Sequence, residues 1–419
     1  MFYKLDKKLF FFYFANGSSL VFGLLLYLFV ISNSDENLAK LMFAYSIHLI
    51  LGSFLTFGSN LYLFDSLSSK KTPKEKNLVL NKNIFFIIII LLLGLLIVTI
   101  LSIFDYLFSV YQKNFNLDLY PFFFTAFLFS FNKIIYFCFL GFKFFNYCYT
   151  IIIARSFFVF FIMMALVLFT NLFFEISILL SFLISETIIF LYCFKKIKKL
   201  ISFNFNLYKK DYKDQIFSSL KLFGEYIFAE IILKIDIFFS MLRFELKNIS
   251  IYLIALVFIE GLMTFTVIIR NYFSSQYGIL IFQKKYSAYM EQFKKYSLYS
   301  LGTAIIFTIF VVFTLFIMNK YLLEINFLVF KYLAIMLFGY LIYSYFAISE
   351  LMFLNKKNYL KQTFYFIFAI FTQVITILLL INNFGILSFP IAICMMYLVM
   401  SIFILIELLK ISTPRYKII

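Results

Sequence analysis

The sequence predicts an all-α integral membrane protein of about twelve transmembrane helices, with both termini in the cytoplasm. Three observations predict it. Hydrophobic residues make up 64% of the 419, against roughly half in a soluble chain, and the mean hydropathy is +0.99. Apolar runs of about 20 residues, enough to cross a 30 Å hydrocarbon core, recur along the whole chain. Lysine and arginine collect on alternate links between those runs, the bias that marks the cytoplasmic side.

Taken in order, the spans fall at about 9–31, 41–64, 84–108, 120–142, 148–170, 173–194, 217–241, 249–273, 298–319, 328–354, 363–381 and 386–409. The first follows a basic N-terminus, as a signal peptide would. Its apolar run, Leu9–Ile31, is too long for such a segment and reads as a retained helix. It carries Ala15-Asn16-Gly17-Ser18-Ser19, and the second span ends on Thr56-Phe57-Gly58-Ser59-Asn60. Small residues let helices approach closely and glycine lets them bend; a polar lining is the alternative use of both patches. His48 in the second span and Glu186 in the sixth read as structural. Pro121 opens the fourth span, where a missing N–H costs little. Pro390 lies inside the twelfth and is expected to kink it.

The longest connection is the basic segment Lys195–Gln215, which divides the spans six and six. The expected organisation is an N-terminal set over 1–199, a cytoplasmic linker over 200–215 and a C-terminal set over 216–419. Shifting the second half back by 211 positions lays Asn248 on Asn37, Ala255 on Ala44, Phe265 on Phe54 and Asn271 on Asn60, and overlays the two opening hairpins. A six-plus-six repeat is a common transporter plan.

Orientation follows from charge. The outer links hold Lys40, Lys113, Arg243, Lys247, Lys320 and Lys331, whereas most of the other basic residues fall on inner links. One inner link alone carries Lys70, Lys71, Lys74, Lys76 and Lys82. The same asymmetry accounts for the net charge of +17 without nucleic acid. The surplus of Phe (66) and Tyr (31), the scarcity of arginine and the absence of Trp fit an AT-rich coding sequence, so the aromatics carry no argument for sugar stacking. Cys138, Cys148, Cys193 and Cys394 lie in or beside apolar segments without C-x-x-C spacing, and His48 is the lone histidine. Neither a metal site nor a disulfide framework is expected, nor any cofactor.

The hairpin Phe217–Phe273 organises the chain. Within its two spans sit Lys221, Glu225, Glu230, Lys234, Asp236, Glu260 and Arg270; Lys133 and Arg155 lie in earlier spans. A charge at mid-membrane costs about 2.5–3.5 kcal/mol on insertion scales, so a chain that keeps so many is expected to face them on a polar interior. Local readings compete. Lys221 and Arg270 lie near helix ends and could snorkel. Glu230 and Lys234, four apart, share a helix face and could neutralise each other. Asp236 lies about 200° round from Lys234 and should face elsewhere. Glu260 could pair with a base on a neighbour.

Leu233-Lys234-Ile235-Asp236-Ile237-Phe238-Phe239, a polar link, Ile251-Tyr252 and Ala255 through Glu260 resemble the start of the second half of polysaccharide flippases. These belong to the multidrug/oligosaccharidyl-lipid/polysaccharide (MOP) exporter superfamily. The first hairpin is similar to the family's opening: a short acidic link, Ser34-Asp35-Glu36, and a second helix ending in Phe57-Gly58-Ser59-Asn60. The motifs cover about a quarter of the chain; its first link lacks the glycines often found there. The resemblance implies two six-helix bundles around a central cavity in a bacterial inner membrane. It implies movement of a polyprenyl-pyrophosphate-linked oligosaccharide, such as an O-antigen precursor, from the cytoplasmic to the periplasmic leaflet. Other polysaccharide-assembly membrane proteins would be partners.

For such a cargo the anion contacts are Arg155, Lys234, Lys133 and Arg270, since the planar guanidinium pairs with pyrophosphate oxygens and lysine supplies a point charge. Asp236 and Glu260 are candidates for a coupling proton or cation. The chain has no G-x-x-x-x-G-K-[ST] run for an ATP-driven pump. A drug exporter of the same superfamily would share the architecture. A membrane glycosyltransferase or polymerase would need a larger outer loop than these links supply.

Overall fold

The computed structural model describes residues 7–70, 72–108, 120–170, 172–200, 212–283, 285–321, 327–351 and 359–412. The chain ends, residues 109–119 and linker residues 201–211 lie outside these, as does the side chain of Glu225. The chain forms two compact units, Met1–Glu230 and Ile231–Ile419. All described elements are helices, and each of the twelve predicted spans is occupied by one or by a broken pair.

The first unit holds α1 (Lys7–Asn33), α2 (Asp35–Phe54), α3 (Ser59–Ser68), α4 (Pro73–Phe108), α5 (Tyr120–Phe142), α6 (Phe145–Phe169), α7 (Phe174–Ile197) and most of α8 (Tyr212–Ile231). Its central helix is α5, against which α2, α3, α4 and α7 pack, while α1 packs on α6. The sequence explains this placement. α5 buries Phe122, Ala126, Phe129, Ile134 and Phe139 on several faces, as an interior helix must. α4 exposes Leu92, Leu93, Leu96, Ile100 and Ile103, a lipid-facing stripe. Close approach of α2 to α5 requires Gly52, where a Cβ would lie 3.1 Å from the Ala126 carbonyl oxygen and strike the Phe129 ring. Ser19 Oγ meets Ser156 Oγ at 2.5 Å, so the small-residue patch of the first span joins α1 to α6.

The second predicted span is broken, with α2 and α3 bent by 57°. Two successive residues take left-handed backbone there, Phe57 (φ 48°) and Gly58 (φ 73°). Glycine adopts this freely; phenylalanine does not, and its surroundings hold it. The Phe57 carbonyl accepts a hydrogen bond from Ser219 Oγ at 2.5 Å, and its ring stacks on Phe223 at 5.9 Å. A Cβ on Gly58 would press on the Ser219 carbonyl and sit 2.8 Å from the Phe223 nitrogen. α8 is thereby seated on the bend. The carboxyl end of α5 closes as a Schellman motif with Lys143 at the left-handed position (φ 65°). Phe144 N–H donates to Phe139 O, Lys143 N–H to Leu140 O, and Lys76 Nζ adds a bond to Gly141 O at 2.7 Å.

The second unit holds α9 (Ile235–Arg243), α10 (Leu246–Phe282), α11 (Tyr286–Tyr321), α12 (Phe327–Phe346) with the 3-10 turn Ala347–Leu351, α13 (Tyr359–Phe384) and α14 (Ser388–Ser412). α14 packs on α12 and α13, and α10 on α11 and α12. Tyr340, Tyr343 and Tyr397 are buried among them. Pro390 is the third residue of α14, in the first turn, where its nitrogen lies among the positions without an intrahelical acceptor, so it breaks no intrahelical bond and a kink is not required there.

The seventh span breaks too, between α8 and α9, with the Lys234 N–H bonded to Ile231 O. Nine stretches among the described residues are long and apolar enough to cross a membrane, the last containing both α13 and α14, and the α2–α3 pair qualifies when joined. The seventh span is the one that falls short, because Lys221, Glu225, Glu230, Lys234 and Asp236 interrupt its apolar run.

Candidate functional site

Among the described residues, a polar cluster stands inside otherwise apolar helices of the first unit, and separate buried ion pairs stand inside those of the second. In the first, α5 supplies Lys133, Phe129 and Asn132, α6 supplies Arg155, α7 supplies Glu186, and α2 supplies His48 and Ser53. Arg155 donates from Nε to Glu186 Oε1 at 2.6 Å and from Nη2 to Oε2 at 3.3 Å. Glu186 is 1% exposed and also accepts from Asn132 Nδ2 at 2.8 Å. His48 Nε2 lies 3.8 Å from Glu186, while its Nδ1 meets Thr125 Oγ1 at 3.1 Å and its ring packs on Phe129 and Phe182.

Lys133 Nζ donates to Ser53 Oγ at 3.0 Å and to Glu230 Oε1 at 2.9 Å. The Arg155 guanidinium and the Lys133 ammonium lie 4.6 and 5.1 Å from the centroid of one ring, Phe129. That contact is itself favourable, since a cation over an aromatic face gains from the ring quadrupole. Arg155 remains 26% exposed. Of its five N–H donors two are committed to Glu186.

In the second unit Lys234, at the start of α9, reaches Glu260 of α10 at 2.5 Å and is buried. Asp236 accepts from the Tyr252 hydroxyl through Oδ2, while its buried Oδ1 has no hydrogen-bond partner among the described residues. Arg270 of α10 donates to Glu350 Oε2 at 2.5 Å, and Glu350, on the 3-10 turn, also accepts from Tyr343 at 2.5 Å. Elsewhere in the first unit Lys40 pairs with Glu175.

All four candidate cations therefore have carboxylate partners, and three local expectations are corrected. Glu230 and Lys234 do not neutralise each other: the helix breaks between them, so Glu230 turns to Lys133 and Lys234 to Glu260. For the same reason the angular spacing of Lys234 and Asp236 on one continuous helix does not apply. Arg270 is tied to Glu350 rather than free to snorkel. Glu260 finds its base on a neighbouring helix, as expected. Glu186 and His48 lie inside the cluster with structural partners. Phe129, Asn132 and Ser53 were not foreseen. Phe129 and Lys133 are four apart on one helix and hence on one face, a signal the sequence does contain.

Solved structures share this architecture. An inward-facing multidrug resistance MATE family transporter of the MOP superfamily matches with TM-score 0.68 and 14% identity over 94% of each chain. The outward-facing conformation of a transporter so described matches at 0.64 and 15%, over 95% of this chain and 93% of that one. A MOP superfamily transporter from Pyrococcus furiosus, whose binding pocket is described as of reverse polarity and suggestive of a different function, matches at 0.66 and 14%, over 97% and 96%. At such identities the likeness establishes the fold: this chain has the two-bundle, multi-pass membrane fold of MOP superfamily transporters. No protein-family model matches the chain, and no curated protein does.

Proposed function

We propose that this protein is a flippase that carries a polyprenyl-pyrophosphate-linked oligosaccharide from the cytoplasmic to the periplasmic leaflet of a bacterial inner membrane, for surface polysaccharide synthesis. The observation that carries this reading is the meeting of Lys133 and Arg155 at Phe129, with both cations partly open and Arg155 retaining donors. A diphosphate fits such a pair, because one fork and one point charge can share its oxygens. Lys234 and Arg270 are the corresponding contacts proposed for the second unit. Asp236, with one oxygen lacking a partner among the described residues, and Glu260 beside Lys234 are the proposed coupling groups. Neutralising both should abolish dependence on a cation gradient; unchanged dependence would exclude them.

One observation favours a cation-coupled multidrug exporter instead. Each candidate cation already has an acid, and the second unit sets Asp236, Glu260 and Glu350 against Lys234 and Arg270. Deleting the gene separates the readings. The flippase predicts accumulation of cytoplasm-facing lipid-linked glycan, with rescue weakened by Arg155→Ala. Normal surface glycan with lost drug tolerance would establish the exporter.

A further inference from the structure

The two carboxylates of the first unit's cluster are held very differently. Glu186 is enclosed and accepts from Arg155 twice and from Asn132. It is part of the wall. Glu230 is 22% exposed and bonds to Lys133 through a single oxygen. It sits on the last turn of α8, one residue before the helix stops at Ile231, so a small unwinding of that turn withdraws its carboxylate. The rest of α8 stays anchored on the bend through Ser219 and Phe223, about 16 and 10 Å away along the helix. What Glu230 would leave behind is an ammonium, a serine hydroxyl and an adjoining guanidinium with unused donors.

We propose that Glu230 is a resident anion: it occupies the Lys133–Ser53 position in the empty transporter and is displaced there by a phosphate oxygen of the arriving anion. The inference rests on the anionic-cargo reading above and adds to it a built-in competitor. Among the described residues it sets a second carboxylate beside Glu186 against the two cations, and an ion held among helices is costly without such a partner. Displacement exchanges that carboxylate oxygen for a phosphate oxygen, so the Lys133 ammonium keeps an anionic partner throughout. A displaceable internal carboxylate also sets a threshold, since ligands with a single weak charge cannot replace a bonded carboxylate, whereas a diphosphate can.

The test is equilibrium binding of farnesyl pyrophosphate and of inorganic pyrophosphate to the full-length protein in nanodiscs of zwitterionic lipid. Glu230→Gln keeps the size of the side chain and removes its charge, so affinity for the diphosphate should rise about tenfold. Adding Lys133→Met should erase that gain. A gain with both probes supports the inference and assigns recognition to the anion. A gain restricted to the farnesyl form supports it and brings in the lipid chain. Equal or weaker binding by Glu230→Gln, with Arg155→Ala still impairing binding, would overturn the resident-anion role and leave the cargo reading intact. No diphosphate binding by the wild type, Glu230→Gln and Arg155→Ala alike would overturn both. Should Glu230→Gln fail to fold, Glu230→Asp, whose shorter reach weakens the same bond, decides the matter by the same criteria with a smaller gain.

Discussion

Arg155 and Glu186 face each other across α6 and α7 in a forked arrangement, Nε to Oε1 and Nη2 to Oε2, with the acid sealed from solvent and the base partly open. The pair is thus asymmetric: its negative end is structural, and its positive end is available.

Removing the sealed partner should be costly. Glu186→Ala would leave Arg155 uncompensated and is expected to destabilise the protein by about 3–5 kcal/mol, whereas Arg155→Met with Glu186→Met should recover much of that loss. Thermal unfolding of the purified variants in detergent measures both. A double variant no better than the single one would show that the two side chains are not coupled.

A second prediction concerns the bend in the second span. Gly58→Ala forces a Cβ into left-handed backbone and against Ser219 and Phe223, so yield and unfolding temperature should fall sharply. Ser219→Ala removes only the hydrogen bond to the Phe57 carbonyl and should cost about 1 kcal/mol. A Gly58→Ala protein as stable as wild type would mean that the bend is not held by close contact.

In the second unit Glu350 accepts from both Arg270 and Tyr343. Tyr343→Phe should cost about 1.5–3 kcal/mol, as expected of a hydrogen bond to a charged group, and Arg270→Ala more, because it strands a buried carboxylate. Glu350→Gln in the Arg270→Ala background should restore part of the difference. Chemical unfolding in mixed micelles compares the four proteins.

Both termini and the basic linker are expected on the cytoplasmic side. Alkaline phosphatase fused after Asn33 or Lys247 should be active, and fused after Leu200 or Lys285 inactive, since the enzyme matures only outside. The reverse pattern would invert the topology.

The spans were legible because bilayer insertion imposes a length and hydropathy on every helix alike. Their breaks were less so. Leu55, Thr56 and Phe57 read as helix, and only Gly58 hints at the turn that α8 enforces from far along the chain. The charge partners failed for a related reason. A rule pairing residues four apart assumes an unbroken helix, and the chain breaks at Ile232–Lys234. Lys133 and Glu230 are 97 positions apart, a separation no local pattern spans.

The left-handed residue at 58 also limits how this gene can change. Glycine codons begin with two guanines, and the chain holds only 12 glycines, as fits an AT-rich coding sequence. Any single replacement of either guanine at codon 58 installs a side chain or stops the chain. Mutational drift is therefore opposed at that codon by the neighbouring backbone of α8, and the GG pair should persist there while synonymous positions around it turn over.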